Sequence, residues 1–240
     1  MRIAVLSDIH GNLPALEAVL DALRPYDAVW QLGDIVGYGP QPDEVVARLV
    51  SENALGVRGN HDSAAVGALS VETFNDDARA AVEWTAARIG PDTRRWLEAL
   101  PLRAIDEPFT LVHASPRDPD WEYVYSTGIA RANLAAFDTA VCLVGHTHVP
   151  LVFRQGGSAM ETIRPRPGTT IGLDGARLIA NPGSVGQPRD GDPRASGILL
   201  DTDKRSLQWR RVDYPIARVQ KMMAALDLPK RLIARLTFGL

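Results

Sequence analysis

The sequence predicts an α/β fold in which two sheets, or one mixed sheet, are covered by helices. Two patterns predict it: the first hundred residues alternate short apolar runs with helix-period segments, and the second half is dominated by strand-like runs. That strand-rich remainder argues against a purely parallel Rossmann arrangement. A third regularity, polar residues standing at the ends of the apolar runs, indicates where the connecting loops gather.

The opening "RIAVLSD" has the length of a buried strand. "NLPALEAVLDAL" follows with Leu13, Leu16, Val19, Leu20 and Leu23 at helical spacing and Asn12 as a candidate cap. A second strand, "AVWQLGD", runs into the glycine and proline turn "GYGPQP" and a helix near Asp43 to Glu52. "ALGVRGN" repeats the pattern as a third strand, with helices expected from Asp76 to Arg88 and from Asp92 to Leu100. Strands are then expected at "FTLVH", "TAVCLVGH", "LVFRQ", "ARLIANPG", "GILLD" and "LQWRRVDY", the last resembling an edge strand whose arginines need no ligand. Ile216, Val219, Met222, Met223 and Leu226 mark a helix after Pro215, and "PKRLIARLTFGL" a further amphipathic one.

The 240 residues suffice for one sizeable core. We therefore expect a single domain over 1–240, with 151–180 as a strand and hairpin excursion and 215–240 as terminal helical segments. Apolar residues form 45% of the chain and charged residues 23%, the balance of a folded globular protein rather than a disordered one. A formal charge of −3 offers no overall attraction for nucleic acid, and no stable nucleic-acid complex is expected. The single cysteine, Cys142, lies in an apolar run and reads as a small core residue. "MRIAVLSDIH" is too briefly apolar for a signal peptide or a membrane span, so a cytoplasmic protein is the expectation. The terminal amphipathic segments can pack on their own body or on a second copy, leaving homo-oligomerisation open.

The polar residues at the run ends carry the chemistry. Asp8 ends the first strand, Asp34 the second, Asn60 follows the third, and His113 and His146 follow two later ones. All five histidines fall in this pattern, because His10, His61 and His148 lie within two residues of these positions. Two aspartates, an asparagine and several imidazoles exceed what one tetrahedral zinc site uses, and no thiolate cluster is available. Two adjacent cations fit the inventory, and a pair about 3.5–4 Å apart needs a bridging group such as a carboxylate. Gly33, Gly59 and Gly145 each precede one of these residues, where the absence of Cβ permits close approach.

"DIHGN", "GDIVGYGP", "GNHD", "VHASP" and "GHTHV" resemble, in order, the signatures of the calcineurin-like metallophosphoesterases. With "NPGSVGQPRD" the resemblance covers nearly all of residues 1–200, and it looks closest to the small bacterial YfcE-like phosphodiesterases. It implies a two-sheet β-sandwich flanked by helices. It further implies one divalent cation on Asp8, His10 and His148, a second on Asn60, His113 and His146, and Asp34 as the bridge. Water between the cations would supply hydroxide for in-line attack on phosphorus. His61 would face the phosphate and leaving oxygen, and Asp62 would orient it or raise its proton affinity. The ligand types suit manganese first, with iron, nickel or zinc as alternatives, and magnesium less well.

Specificity is expected from "SPRDPDWEYVY", where Arg117 is placed to reach a phosphate and Trp121 or Tyr123 to stack on a planar group. Arg189 is a second anion-binding candidate, and Asn60 is positioned to touch substrate as well as cation. "GDIVGYG" lacks the Asp-Arg continuation of the serine/threonine protein phosphatases, so a phosphodiesterase or nucleotide phosphohydrolase acting on a small phosphate ester is favoured. The alternatives are a phosphomonoesterase or protein phosphatase, and a catalytically weak metal-binding regulatory or scaffold protein. A serine hydrolase has no support, since there is no G-x-S-x-G elbow.

Overall fold

Alternate residues of β1 (Arg2–Leu6) belong to different cores, and this doubling explains the unbroken apolar run. Ile3 and Val5 face the space between two sheets, while Ala4 and Leu6 pack under helices. A computed structural model describes residues 1–157 and 159–240, and in it two six-stranded mixed sheets face one another.

The first sheet has β1 at its centre. On one side lie β2 (Ala28–Gln31) and β3 (Leu55–Gly56), both parallel to their neighbours. On the other side β11 (Ala195–Asp201) pairs antiparallel with β1, with Ile3 opposite Leu200. β12 (Ser206–Val212) and β9 (Thr170–Gly172) complete that sheet. The second sheet runs β4 (Arg103–Asp106), β5 (Phe109–Val112), β6 (Val141–Leu143), β10 (Leu178–Asn181), β7 (Leu151–Gly156) and β8 (Ala159–Ile163). Its inner face contributes Leu111, Val141, Leu143 and Leu178 to the shared core, which Trp209 of β12 fills from the opposite sheet.

Helices cover both outer faces. α1 (Leu13–Leu23) packs on the first sheet, and Asn12 caps it by accepting the Ala15 amide at 3.2 Å. α2 (Pro42–Ser51), α4 (Asp76–Ala86) and α5 (Pro91–Ala99) extend that layer. α7 (Ile216–Ala225) and α8 (Lys230–Arg235) join the same core through Val219, Met223, Leu232 and Leu236. α6 (Thr127–Asn133) closes the outer face of the second sheet over Cys142 and Val144, so the cysteine is the small core residue its surroundings predicted. No helix among the described residues is long and apolar enough to cross a membrane.

Several elements depart from the sequence reading. The third strand pairs over only two residues, because the chain turns away at Arg58, whose amide bonds the Pro101 carbonyl at 2.8 Å. α3 (Asn60–Ala65) and α6 were not expected, since six or seven residues are too few to show a helical period. Within 151–181, β7 and β10 are the expected strands, and β8 and β9, which no apolar run announces, form edges of the two sheets. β12 is not an edge strand, and its Arg211 pairs with Asp190 and hydrogen-bonds the Arg194 carbonyl at 2.9 Å.

Trp209 is the largest fully buried side chain, and its Nε1–H donates to the Asn181 carbonyl at 3.0 Å. Trp209→Ala is expected to lower the unfolding free energy by about 3–5 kcal/mol in urea titrations. A loss below about 1 kcal/mol would contradict its place between the sheets.

Candidate dinuclear metal centre

The carboxyl ends of β1, β2, β5 and β6, and the start of α3, meet at one edge of the sandwich. Backbone bonds continue the β1–β2 pairing into the loops: the amides of Asp8, His10 and Gly11 reach the carbonyls of Gly33, Asp34 and Ile35 at 2.9–3.1 Å. The loops then take an unusual course. Asp8, His10, Asp34, His146 and His148 all have φ between 49° and 63°, as does Tyr38. Left-handed backbone at a non-glycine residue costs about 1–2 kcal/mol each, and such residues concentrate where function over-determines the geometry. Two glycines permit the close approach. A Cβ on Gly145 would collide with Ser7 Oγ, and one on Gly59 with Asp34 Oδ1.

Asp8, His10, Asp34, His113, His146 and His148 are each at most 3% exposed, as is Asn60. His10, His113 and His148 donate their Nδ1–H to the carbonyls of Val36, Leu32 and Gln187 at 3.0, 2.8 and 2.6 Å. Each therefore turns Nε2 inward. His10 Nε2 and His148 Nε2 stand 3.2 Å apart, and His113 Nε2 stands 3.2 Å from His146 Nδ1. Asp34 Oδ2 reaches both pairs, at 3.6 Å from His10 Nε2 and 3.3 Å from His113 Nε2. Its other oxygen accepts the His61 backbone amide at 2.9 Å. Asp8 Oδ1 lies 3.3 Å from His148 Nε2.

Burial holds the His10 and His148 imidazoles well below their ordinary range, so both are neutral and present lone pairs to each other. Facing lone pairs repel unless a cation lies between them. Burial likewise brings His146 down to about 3. His113 is the exception: burial pulls it down, but the Asp34 carboxylate outweighs burial and raises it to about 9. Burial pushes Asp34 up, and the charge on His113 overcomes it, leaving the carboxyl well below its usual range. Burial raises Asp8 to about 7, helped by the nearby Asp34 charge.

Two groups of donors result, Asp8, His10, Asp34 and His148 in one and Asp34, His113 and His146 in the other, with ligand atoms in each within 4.8 Å of one another. Asn60 Oδ1 is buried without a hydrogen-bond partner among the described residues, which suits a further donor to the second group. Facing imidazole nitrogens, a shared carboxylate and an orphaned amide oxygen fit a pair of divalent cations.

Over residues 1–205 the chain matches the calcineurin-like phosphoesterase superfamily domain. It belongs to the calcineurin-like metallophosphoesterases. Membership and the two donor groups together make this metallophosphoesterase a metal-dependent phosphoric ester hydrolase. The chain is 35% identical to protein MJ0912 of Methanocaldococcus jannaschii, over 99% of this chain and 98% of that protein. It is 29% identical to the phosphodiesterase YfcE of Escherichia coli, over 86% of this chain and 91% of that one. The solved metallophosphoesterase from Sphaerobacter thermophilus superposes with a TM-score of 0.93 at 46% identity, covering 100% of this chain and 99% of its own. The two-sheet sandwich implied by the sequence motifs is thus the fold of the metallophosphoesterase.

Beside the donor groups a cavity of about 220 Å³ opens, bounded by Asn60, His61, Trp121, Tyr123 and Arg189, all expected from the sequence. Tyr38 and Phe74 line it too and were not anticipated; the only hint was an aromatic between Gly37 and Gly39 and another beside the helix cap Asn75. His61 packs edge-on against Phe74 and lies 4.4 Å, centroid to centroid, from the Tyr38 ring. Arg189 Nη2 bonds Gln187 Oε1 at 2.9 Å, and its guanidinium lies over the Tyr38 ring.

Two expected residues are placed differently. Arg117 pairs with Glu122 and does not line the cavity, because a carboxylate five residues along the same loop captures it. Ser115 Oγ and Asn133 Nδ2 bond the same Glu122 at 2.7 and 2.6 Å, so the loop is clipped from behind. Asp62 does not reach the His61 ring. Its oxygens accept the amides of Ile35, Val36 and Gly59 at 2.8–3.0 Å, which ties the Asp34 loop to α3. Among the described residues His61 Nδ1 is buried with no partner. Asn181 holds the His146 loop, donating to the Gly145 carbonyl at 2.6 Å.

A cation entering the second group must expel the His113 proton below about pH 9, and below about pH 7 the Asp8 proton adds to the cost at the first. Divalent-cation affinity should therefore rise as pH rises from 6 to 9, by up to about tenfold per unit for each proton released. Competition with a chelating dye across that range measures it. A flat profile would contradict the assignment of His113.

Proposed function

We propose that the chain hydrolyses phosphodiesters or nucleotide-like polyphosphates, with Asp8, His10, Asp34 and His148 holding one cation and Asp34, Asn60, His113 and His146 the other. The observation that carries this reading is the cavity itself: a guanidinium, Arg189, shares it with the rings of Trp121, Tyr123, Phe74 and Tyr38 directly beside the donor groups. Among the described residues Arg189 has no ion-pair partner. An anionic ester with a planar substituent suits such walls. The similarity to the Escherichia coli phosphodiesterase YfcE supports it.

When bound, two divalent cations neutralise phosphate oxygens and make hydroxide accessible near neutral pH, and the imidazole-rich donor set favours manganese. The chain's own residues do the remaining work. Arg189 binds a non-reacting phosphate oxygen. Trp121 and Tyr123, presented by the loop that Glu122 clips, flank the substituent. Burial brings His61 down to about 4, so it faces the phosphate as a neutral imidazole that donates one hydrogen bond. Negative charge arriving beside it raises its proton affinity, so it can take a proton from solvent and pass that proton to the leaving oxygen. Asp62 is a positioning residue, setting the backbone from which Asp34 and His61 project.

A phosphopeptide suits these aromatic walls less well than a small ester, and the protein-phosphatase Asp-Arg feature is absent. A panel of bis(p-nitrophenyl) phosphate, p-nitrophenyl phosphate, cyclic nucleotides, dinucleoside polyphosphates and phosphopeptides tests the assignment through kcat/KM. Diesters or polyphosphates should lead, with manganese restoring metal-depleted protein better than magnesium. A tenfold preference for phosphopeptide would overturn the substrate class, and no turnover with two cations bound would favour a regulatory or scaffold role.

His61→Ala should keep both cations yet slow kcat by about 10²–10⁴-fold. Arg189→Ala should lower kcat/KM by about 10- to 100-fold, the worth of one charged hydrogen bond. Elemental analysis beside steady-state kinetics separates these from loss of cations. Wild-type turnover in either variant would remove that residue from the mechanism.

A further inference from the structure

Positive charge near the site does not end with Arg189. Helix α8 lies beyond the span 1–205 of the family domain, yet it is seated against the site's own supports. Leu232 and Leu236 are buried in the core that contains Tyr38, and Leu236 lines a narrow cleft with His10 and Tyr38. This seating sets Arg231 and Arg235 across from Asp76 and Asp77 at the start of α4, around a trough of about 480 Å³. Asn75 lines both the trough and the cavity beside the donor groups, so the two spaces adjoin there.

Among the described residues Arg231 and Arg235 form no ion pair with an aspartate or glutamate, although Asp76 and Asp77 stand on the opposite wall. Arg235 donates its Nε–H to the main-chain oxygen of Leu240, which leaves its two Nη groups for the trough. Burial, and then the charge of Arg189, hold Arg235 below its ordinary value, so the outer guanidinium feels the inner one. Like charges gathered in this way are stabilised by an anion that spans them. The facing carboxylates, at the end of α4 where the helix dipole favours them, accept from hydroxyl groups. Donors on one wall and acceptors on the other match a phosphorylated sugar.

We infer that Arg231 and Arg235 form a distal subsite for a second phosphate group, so that the substrate is a nucleotide-like molecule carrying two or more phosphates rather than a simple diester. The inference rests on the phosphoesterase reading for its direction, with the reacting phosphate at the donor groups and the second one in the trough.

The test compares wild type with Arg231→Ala/Arg235→Ala, and with Lys204→Ala/Arg205→Ala as a control of equal charge elsewhere. Manganese-loaded protein is assayed with a dinucleoside tetraphosphate and with bis(p-nitrophenyl) phosphate at fixed excess free manganese. The α8 double variant should lose at least tenfold in kcat/KM on the tetraphosphate, chiefly through KM, and stay within twofold on the single diester, which also reports intact folding. Equal losses on both substrates, no loss on either, or the same loss in the control would overturn the subsite. Equilibrium dialysis of the tetraphosphate reads binding apart from turnover. At least tenfold tighter binding by wild type than by the α8 variant sustains the subsite, and equal or absent binding overturns it. Tight binding without turnover overturns the hydrolytic reading alone.

Discussion

Asp34 Oδ2 lies between two pairs of imidazole nitrogens that face each other, and most of the surrounding structure serves to hold it there. His10 and His148, neutral and with their Nδ1 protons committed to backbone carbonyls, cannot share a hydrogen bond through two lone pairs. The arrangement is favourable only with positive charge at its centre. A proton on His113 supplies that charge in part, and two divalent cations supply it in full.

The fold meets this requirement by bringing five chain excursions to one end of a sandwich whose inner core is independent of the site. β1, β2, β5 and β6 deliver their donors within a few residues of their last paired ones, and after β1, β2 and β6 short left-handed turns aim the side chains inward. The strain is retained because the turns are tied to one another. Asp62 binds three amides of the Asp34 loop and α3, His146 gives its amide to Asp8 at 3.2 Å, and Ser184 bonds the Asp8 carbonyl at 2.8 Å. The walls beside the donor groups come from other elements: the clipped loop with Trp121 and Tyr123 and the segment around Phe74, with the trough under α8 adjoining at Asn75.

Much of this was legible in the sequence, for reasons that can be named. Strands buried on both faces read as apolar runs, and polar residues at their ends stand out against them, so Asp8, Asp34, Asn60, His113, His146 and His148 were visible by type and position. Asn12 announced its helix because a cap is a local interaction. What escaped depends on partners distant in the chain or on competition within a loop. Arg117 looked free until Glu122 was seen to claim it, and Asp62 looked like a partner for His61 until three amides were found on its carboxylate. β4 and β8 carry mostly exposed residues and exist by pairing with a neighbour, which no periodicity of their own reveals. Tyr38 and Phe74 entered the site through tertiary packing.

The shared carboxylate is the centre of this account, and one measurement addresses it directly. Manganese content and anomalous scattering are recorded for wild type and for Asp34→Asn at saturating cation. The account predicts two manganese ions per wild-type chain about 3.5–4 Å apart with Asp34 between them, and weakened occupancy at both positions in the variant, since a neutral amide is a poor bridge between two cations. A single ion in the wild type, or two undisturbed ions in the variant, would contradict it.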